Sequence, residues 1–312
     1  MFSITRFEPA LQPVWDRFVD QSRNGTFLFR RDYMDYHRDR FRDHSLVIED
    51  RGTIVALLPA NEADGVLFSH QGLTYGGFIV CPRMSAESML EAFSAVLNYL
   101  ARRSFLRFDY KTIPHIYHER PAEEDRYALF RVGATLVGRD ILSVIAGQRR
   151  GPVQQRRRRA LAKARQRNLA VSETEDWAEF WPVLTQRLRE RYAISPVHSL
   201  AEIQRLNQRF PENIRLFTCR SASGLCGGAV VYESPRVAHV QYVAASDDGL
   251  ETGALDALFE HLIEVIYAQK PYFDFGRSTE GDSRQLNVGL VAFKEGFGAT
   301  TVVHDSYSIA IR

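Results

Sequence analysis

Residues 133–145 (GATLVGRDILSVI) lie against residues 298–310 (GATTVVHDSYSIA) with six identities in thirteen positions, at an offset of 165. About one identity is expected by chance at ordinary residue frequencies. Phe108-Asp109 meets Phe273-Asp274 at the same offset, and Tyr110 meets Phe275. Two separate segments that agree on one offset mark an internal duplication, and a duplicated chain has to build one architecture twice.

The patterning around those segments repeats as well. In the first half, 44–60 is two apolar runs about an Arg-Gly turn, which predicts a hairpin. A strand-like stretch follows at 66–80. Met89, Phe93, Val96, Leu97 and Leu100 then recur at helical spacing over 85–103, with Ser85 placed to cap the helix, and 105–110 reads as a short buried strand. The second half gives a hairpin over 214–232, a strand over 236–246, a helix over 253–269 and a strand over 272–276. Each half opens on helices, predicted at 11–20 and 30–38 and again at 176–192 and 199–209. The expected fold class is α/β (α+β): two domains, each a mixed sheet flanked by helices.

Charge divides the chain unevenly. The 312 residues hold 40 Lys+Arg and 38 Asp+Glu, a net +2 that excludes a globally basic nucleic-acid binder and a globally acidic solvating chain. Residues 149–168 (RRGPVQQRRRRALAKARQRN) carry nine of those bases and no acid, which leaves 31 bases against 38 acids, −7, elsewhere. The expected organisation is therefore a first domain over 1–148, a basic connecting helix over 149–168 and a second domain over 169–312. Hydrophobic residues at 45% offset the entropy of ordering, so disorder is excluded as a general state. No run approaches the ~18 apolar residues that span a bilayer. The opening MFSITRFEPALQP lacks the pattern of a signal peptide, and Cys81, Cys219 and Cys226 have no metal-ligand spacing. A soluble cytoplasmic protein without a metal is the expectation.

Hairpin, strand, helix, strand, helix, strand is similar to the order of the GNAT acyltransferase fold. The segment FDFGRSTEGDSRQLNVGLVAFKEGFGA (273–299) resembles the C-terminal signature of the tandem-GNAT group, and RRRRALAKARQRNLAV resembles that group's basic helix. The group includes Fem-type peptidoglycan-bridge transferases and GNAT-like N-acyltransferases of bacterial polysaccharide pathways. The resemblance implies acyl-CoA, most often acetyl-CoA, as co-substrate, lying where the strand before the main helix splays from its neighbour. Here that region is Val243, Ala244 and the residues through Gly249 to Gly253. The two glycines admit a close backbone approach by phosphate, or they form a plain helix entry. The family's Gln/Arg-x-x-Gly-x-Gly/Ala string is absent, and Asp247, Asp248 and Glu251 repel phosphate.

Amide formation needs a proton acceptor for the amine and a counter-charge for the developing oxyanion. Lys294 matches the lysine of the Phe-Lys signature, and the resemblance implies a place near the acyl carbonyl; a helix-end lysine is the other reading. Arg277 and Ser278 follow a predicted strand, where α/β sheets place ligands, and Glu280 is the candidate general base. Asp274 and its repeat partner Asp109 read as structural. The resemblance also makes Asp109 an alternative base, with Lys111 on its strand face. His70 and Tyr75, in SHQGLTYGG, line an acceptor pocket or a strand bulge. Gln241 and Tyr242 face the cleft, while Arg191 either holds an acidic acceptor or sits on a solvated helix face.

The basic helix steers a small anionic ligand, binds an aminoacyl-tRNA donor, or faces the acidic remainder of the protein. The leading expectation is an acyl-CoA-dependent N-acyltransferase acting on an amine of an anionic cell-envelope precursor, an amino sugar. The alternatives are a tRNA-dependent Fem-type transferase and an inactive tandem-GNAT binding protein.

Overall fold

The structure, a computed structural model, describes residues 2–312. Two compact units form: Met1–Asp140 with Gly281–Gln285 and Val303–Arg312, and Ile141–Glu280 with Leu286–Val302.

In the first unit, β1 (Phe2–Arg6), α1 (Gln12–Gln21) and the single turn α2 (Arg31–Met34) precede β2 (Arg42–Asp43), β3 (Leu46–Asp50) and β4 (Thr53–Leu58). Arg51 and Gly52, both at positive φ, make the expected tight turn between β3 and β4. Then come β5 (Asn61–Ala63), β6 (Val66–Phe68), β7 (Ile79–Val80), α3 (Ala86–Arg102), β8 (Arg107–Lys111), α4 (Glu124–Arg131) and the long β9 (Thr135–Ala146). Ser85 Oγ accepts the Ser88 N–H at 3.1 Å and caps α3. The α3 stripe buries Met89, Phe93, Val96 and Leu100 with Phe78, Phe108 and Tyr110. One sheet runs β1-β3-β4-β7, and in a second β6 pairs parallel with β8.

The second unit starts with the basic helix α5 (Gln155–Gln166) and continues through β10 (Ala170–Thr174), α6 (Trp177–Tyr192), α7 (Leu200–Arg209), β11 (Ile214–Ser221), β12 (Gly224–Glu233) and β13 (Val237–Ala245). The helix expected at 253–269 is α9 (Ala254–His261), continued by a π-turn at Leu262–Ile266, and an additional short helix, α8 (Asp247–Thr252), precedes it, set off by Gly253 at φ +82°. β14 (Tyr272–Arg277), β15 (Thr279–Glu280), β16 (Gln285–Leu286), α10 (Val288–Glu295) and β17 (Thr300–Ala310) complete the chain. The sheet order is β10-β11-β12-β13-β14, closed by the second-unit part of β9. Phe217, Val231, Val240, Phe259, Phe273, Phe275 and Phe297 build the core beneath α9.

The duplicated segments are β9 and β17. Each is divided between the units: β9 passes from the first to the second at Asp140/Ile141, and β17 returns to the first from Val303. There Ser306–Ala310 pair antiparallel with Lys111–Arg107 of β8. The simple linear boundaries expected at 148 and 169 thus give way to a strand exchange, which sequence order cannot display.

Candidate active site in the second unit

β13 and β14 pair in parallel over three residues only, Val237↔Tyr272, Ala238↔Phe273 and His239↔Asp274. Beyond that point β13 keeps its pairing with β12 to Ala245, while Gly276 at φ +74° turns β14 aside. The β12–β13 register slips between Val230 and Val231, so that Tyr242 and Val240 are paired and Gln241 is bulged out. Two neighbouring strands therefore part, with a bulge on one lip. The opening leaves backbone groups of both strands free of a shared ladder.

At the start of the opening, Asp274 is fully buried. Its Oδ1 accepts the Gly276 N–H at 2.7 Å, and its Oδ2 lies 2.9 Å from His239 Nδ1. Sequence reading missed His239, which sits in an unremarkable apolar strand. Only the register, which sets it beside a carboxylate 35 residues further on, reveals it.

Lys294 reaches the same turn from α10. It is 5% exposed, and its Nζ donates to the carbonyls of Gly276 (2.8 Å) and Arg277 (2.7 Å) and to Ser278 Oγ (2.9 Å). Three N–H donors meet three acceptors, so the ammonium is spent on holding the chain that has left the ladder. Burial lowers its pKa to about 8, and Asp274 opposes that shift. The expected open cation beside the acyl carbonyl is corrected accordingly: Lys294 is a pin. Ser278, 1% exposed, is enclosed with Ser143 at 3.3 Å between hydroxyls. Arg277 is exposed and donates from Nε to Thr279 O, and Glu280 accepts from Asn287 Nδ2 at 2.5 Å. Lys294, Ser278, Arg277 and Glu280 are thus brought together at the end of β14.

The glycines expected at a phosphate are explained by protein instead. A Cβ on Gly249 would sit 1.8 Å from the Cys226 carbonyl oxygen, and one on Gly253 would sit 2.5 Å from that of Ala160 in α5. Ser246 caps α8 by accepting the Gly249 N–H, and Arg187 ties Ala245 O to Asp247. With Asp247 and Asp248 in the first turn, these residues do not fit a pyrophosphate at this place. Val243 packs on the core and Ala244 pairs with Gly228, both on the splayed strand. Tyr242 is turned away from the opening: its hydroxyl lies 2.6 Å from His198 Nδ1, its ring packs on Trp181, and burial raises its pKa to about 12. Arg191 is exposed, its guanidinium 5.6 Å from the Tyr192 ring. A groove of about 540 Å³ between α6 and α7, lined by Trp181, Pro182 and Leu200, contains none of these groups.

In the first unit the expected acceptor pocket is corrected too. Tyr75 is 3% exposed, its hydroxyl 3.0 Å from Thr26 Oγ1 and its ring against Phe29 and Tyr117. His70 is buried at positive φ, stacked on His37, and desolvation holds its pKa well below the usual value. Lys111 Nζ donates to Leu73 O at 2.6 Å, and burial lowers its pKa to about 8. These side chains fold the 69–78 loop into the interior. Asp109 is half-buried, engaged by Arg107 and by the Ser308 hydroxyl at 2.8 Å.

The basic helix splits into two faces. Arg157 pairs with Asp256 at 2.9 Å and lies over the Phe293 ring, and Arg150, just before the helix, pairs with Glu260 and Glu264. Arg158, Arg159, Lys163, Arg165 and Arg167 stay exposed. Among the described residues there is no group of His, Cys, Asp or Glu able to hold a metal ion, and no helix is long and apolar enough to cross a membrane.

Residues 148–293 match the family model of the acetyltransferase (GNAT) domain. No curated protein sequence matches the chain. Among solved structures it is similar to FemX, with a TM-score of 0.65 at 10% identity over 97% of this chain and 96% of that one. It is similar to L-PGS from Bacillus licheniformis (TM-score 0.62, 12% identity, 98% and 93% covered) and to a tandem GNAT protein from the clavulanic acid biosynthesis pathway (0.52, 10%, 100% and 99%). The fold is that of the tandem-GNAT and Fem-type structures, and the match to the acetyltransferase (GNAT) domain falls on the second half.

Proposed function

We propose that the chain is an N-acyltransferase that joins an activated acyl group to an amine of an anionic acceptor, an amino sugar of a cell-envelope precursor, with the donor's acyl arm between β13 and β14. The parting of those strands after His239 and Asp274 is the observation that carries this reading. Acyl-CoA is the donor in the first form of the proposal. Glu280 and Arg277, at the end of β14, are proposed to receive the acceptor, the carboxylate drawing its ammonium group and the guanidinium its anionic part.

A second form has an aminoacyl-tRNA as donor. It is favoured by the exposed cations along α5 and by the acidic first turn of α8, which suits a CoA pyrophosphate poorly. The experiment follows free thiol from acetyl-CoA with a panel of nucleotide-linked amino sugars, and in parallel follows amide formation from aminoacylated tRNA. Replacing Arg158, Arg159 and Lys163 by Glu separates the forms. With a CoA donor, turnover stays within about twofold of wild type. With a tRNA donor, binding weakens and its salt dependence flattens by roughly one phosphate contact per residue. Absence of amide from both donors would overturn the proposal.

A further inference from the structure

We propose that His239, oriented by Asp274, is the base that takes the proton from the attacking amine, in place of the Glu280 or Asp109 expected for that task; this rests on the acyltransferase reading. An ionised carboxylate can only accept, so the 2.9 Å contact requires Nδ1 to carry the proton and leaves Nε2 as the basic nitrogen. The Gly276 N–H occupies the other carboxylate oxygen at 2.7 Å, which fixes the Asp274 rotamer. Imidazole, carboxylate and the turn of β14 form one rigid unit at the point where the strands part.

The face on which the pair lies agrees with that role. Phe273 and Phe275 enter the core beneath α9, as do Ala238 and Val240. Alternation along each strand puts Asp274 and His239 on the opposite face, and the bulge at Gln241 brings Tyr242, which packs on Trp181 of α6, to that face as well. An acyl arm between the strands would be approached by the amine from there. The charged and titratable neighbours are few. Tyr232 stands opposite His239 on β12, the Tyr242–His198 pair lies further along, and Lys294 holds the adjacent Gly276 and Arg277 carbonyls.

The duplication supplies an internal control. Asp109 occupies the same place on β8 that Asp274 occupies on β14, and each is the last residue of a three-residue parallel ladder. Asp109 has Phe68 as its partner in register, whereas Asp274 has His239. The carboxylate is common to both halves, and the imidazole is particular to the half with the acyltransferase domain.

In the reaction the amine nitrogen bonds to the acyl carbon while its proton passes to Nε2. The carbonyl π pair moves to oxygen, then returns as the bond to the leaving group breaks, and the proton on Nε2 passes to the departing thiolate or ribose oxygen. Base catalysis of this kind contributes about 10²- to 10⁴-fold.

The test is kcat/KM against pH for wild type, His239→Asn, His239→Gln and Asp274→Asn, using whichever donor turns over. Wild-type kcat/KM is expected to rise with pH through one ionisation. That limb should vanish in both His239 variants with a loss of about 100-fold, while Asp274→Asn should shift the limb and lower kcat more than it raises KM. Glu280→Gln should raise KM and keep the limb. A second readout needs no turnover: long-range ¹H–¹⁵N spectra of the wild-type protein should show neutral His239 with its proton on Nδ1. Unchanged turnover and an unchanged limb in the His239 variants would overturn the inference and leave the acyltransferase reading intact, as would the opposite tautomer. Wild type without turnover from either donor would overturn that reading itself.

Discussion

Lys294→Met is expected to lower the melting temperature and abolish turnover together. The methionine fills similar space but offers no donor, so the carbonyls of Gly276 and Arg277 and the Ser278 hydroxyl lose the ammonium that satisfies them. Each buried acceptor left unpaired costs roughly 1–3 kcal/mol, so a destabilisation of about 3 kcal/mol is expected. That corresponds to a fall of at least about 5 °C in Tm for a chain of this size. The turn that carries Asp274, Gly276 and Glu280 loses its pin, and displacement of a site by about 1 Å costs on the order of 100-fold in rate. Thermal unfolding beside turnover checks both. A lysine whose task was to face the acyl carbonyl would behave differently, with turnover lost and Tm kept.

Gly249→Ala should be as damaging for a different reason. The added methyl would lie 1.8 Å from the Cys226 carbonyl oxygen and 2.8 Å from its carbon, and both belong to backbone that cannot rotate away. α8 would have to lift from β12, breaking the Ser246 N–H bond to that carbonyl (2.9 Å) and the cap that Ser246 gives Gly249. Overpacking against fixed backbone costs about 1–3 kcal/mol, and the lost cap adds about 1 kcal/mol. A combined loss of about 3 kcal/mol is therefore expected, read as a shift in the denaturant midpoint at unchanged slope. If Gly249 were kept for close approach of a phosphate, the variant would unfold like wild type and lose only donor binding.

Both results turn on the difference between what residue order reveals and what register reveals. The duplication, the hairpins, the capped α3 and the split between helices and strands were legible, because apolar spacing and turn residues act over a few positions. The exchange of β9 and β17 was not, since the pairing of β17 with β8, far apart in the chain, leaves no local mark. The same holds at the site. Arg277, Ser278 and Glu280 were singled out because they follow a predicted strand, and Lys294 from the Phe-Lys signature; the four lie near one another at the end of β14. The use to which Lys294 is put depends on which carbonyls leave the ladder, and that is settled by Gly276. Gly249, His70 and Tyr75 each carried a ligand-facing reading, the glycine by resemblance and the other two by polarity and flanking glycines, beside a helix-entry or strand-bulge one. Each instead answers to protein: a carbonyl 1.8 Å away, a stacked imidazole, a threonine hydroxyl. His239 became visible only beside Asp274.

Backbone hydrogen exchange during donor titration tests the central claim most directly. With acetyl-CoA or with aminoacylated tRNA, whichever supports turnover, the amides of 240–245 on β13 and 275–278 beyond the β14 turn should gain protection. Those of the matching first-unit segments, 69–73 and 110–113, should not change. Turnover accompanied by protection in the first unit alone, or by none between β13 and β14, would contradict the account.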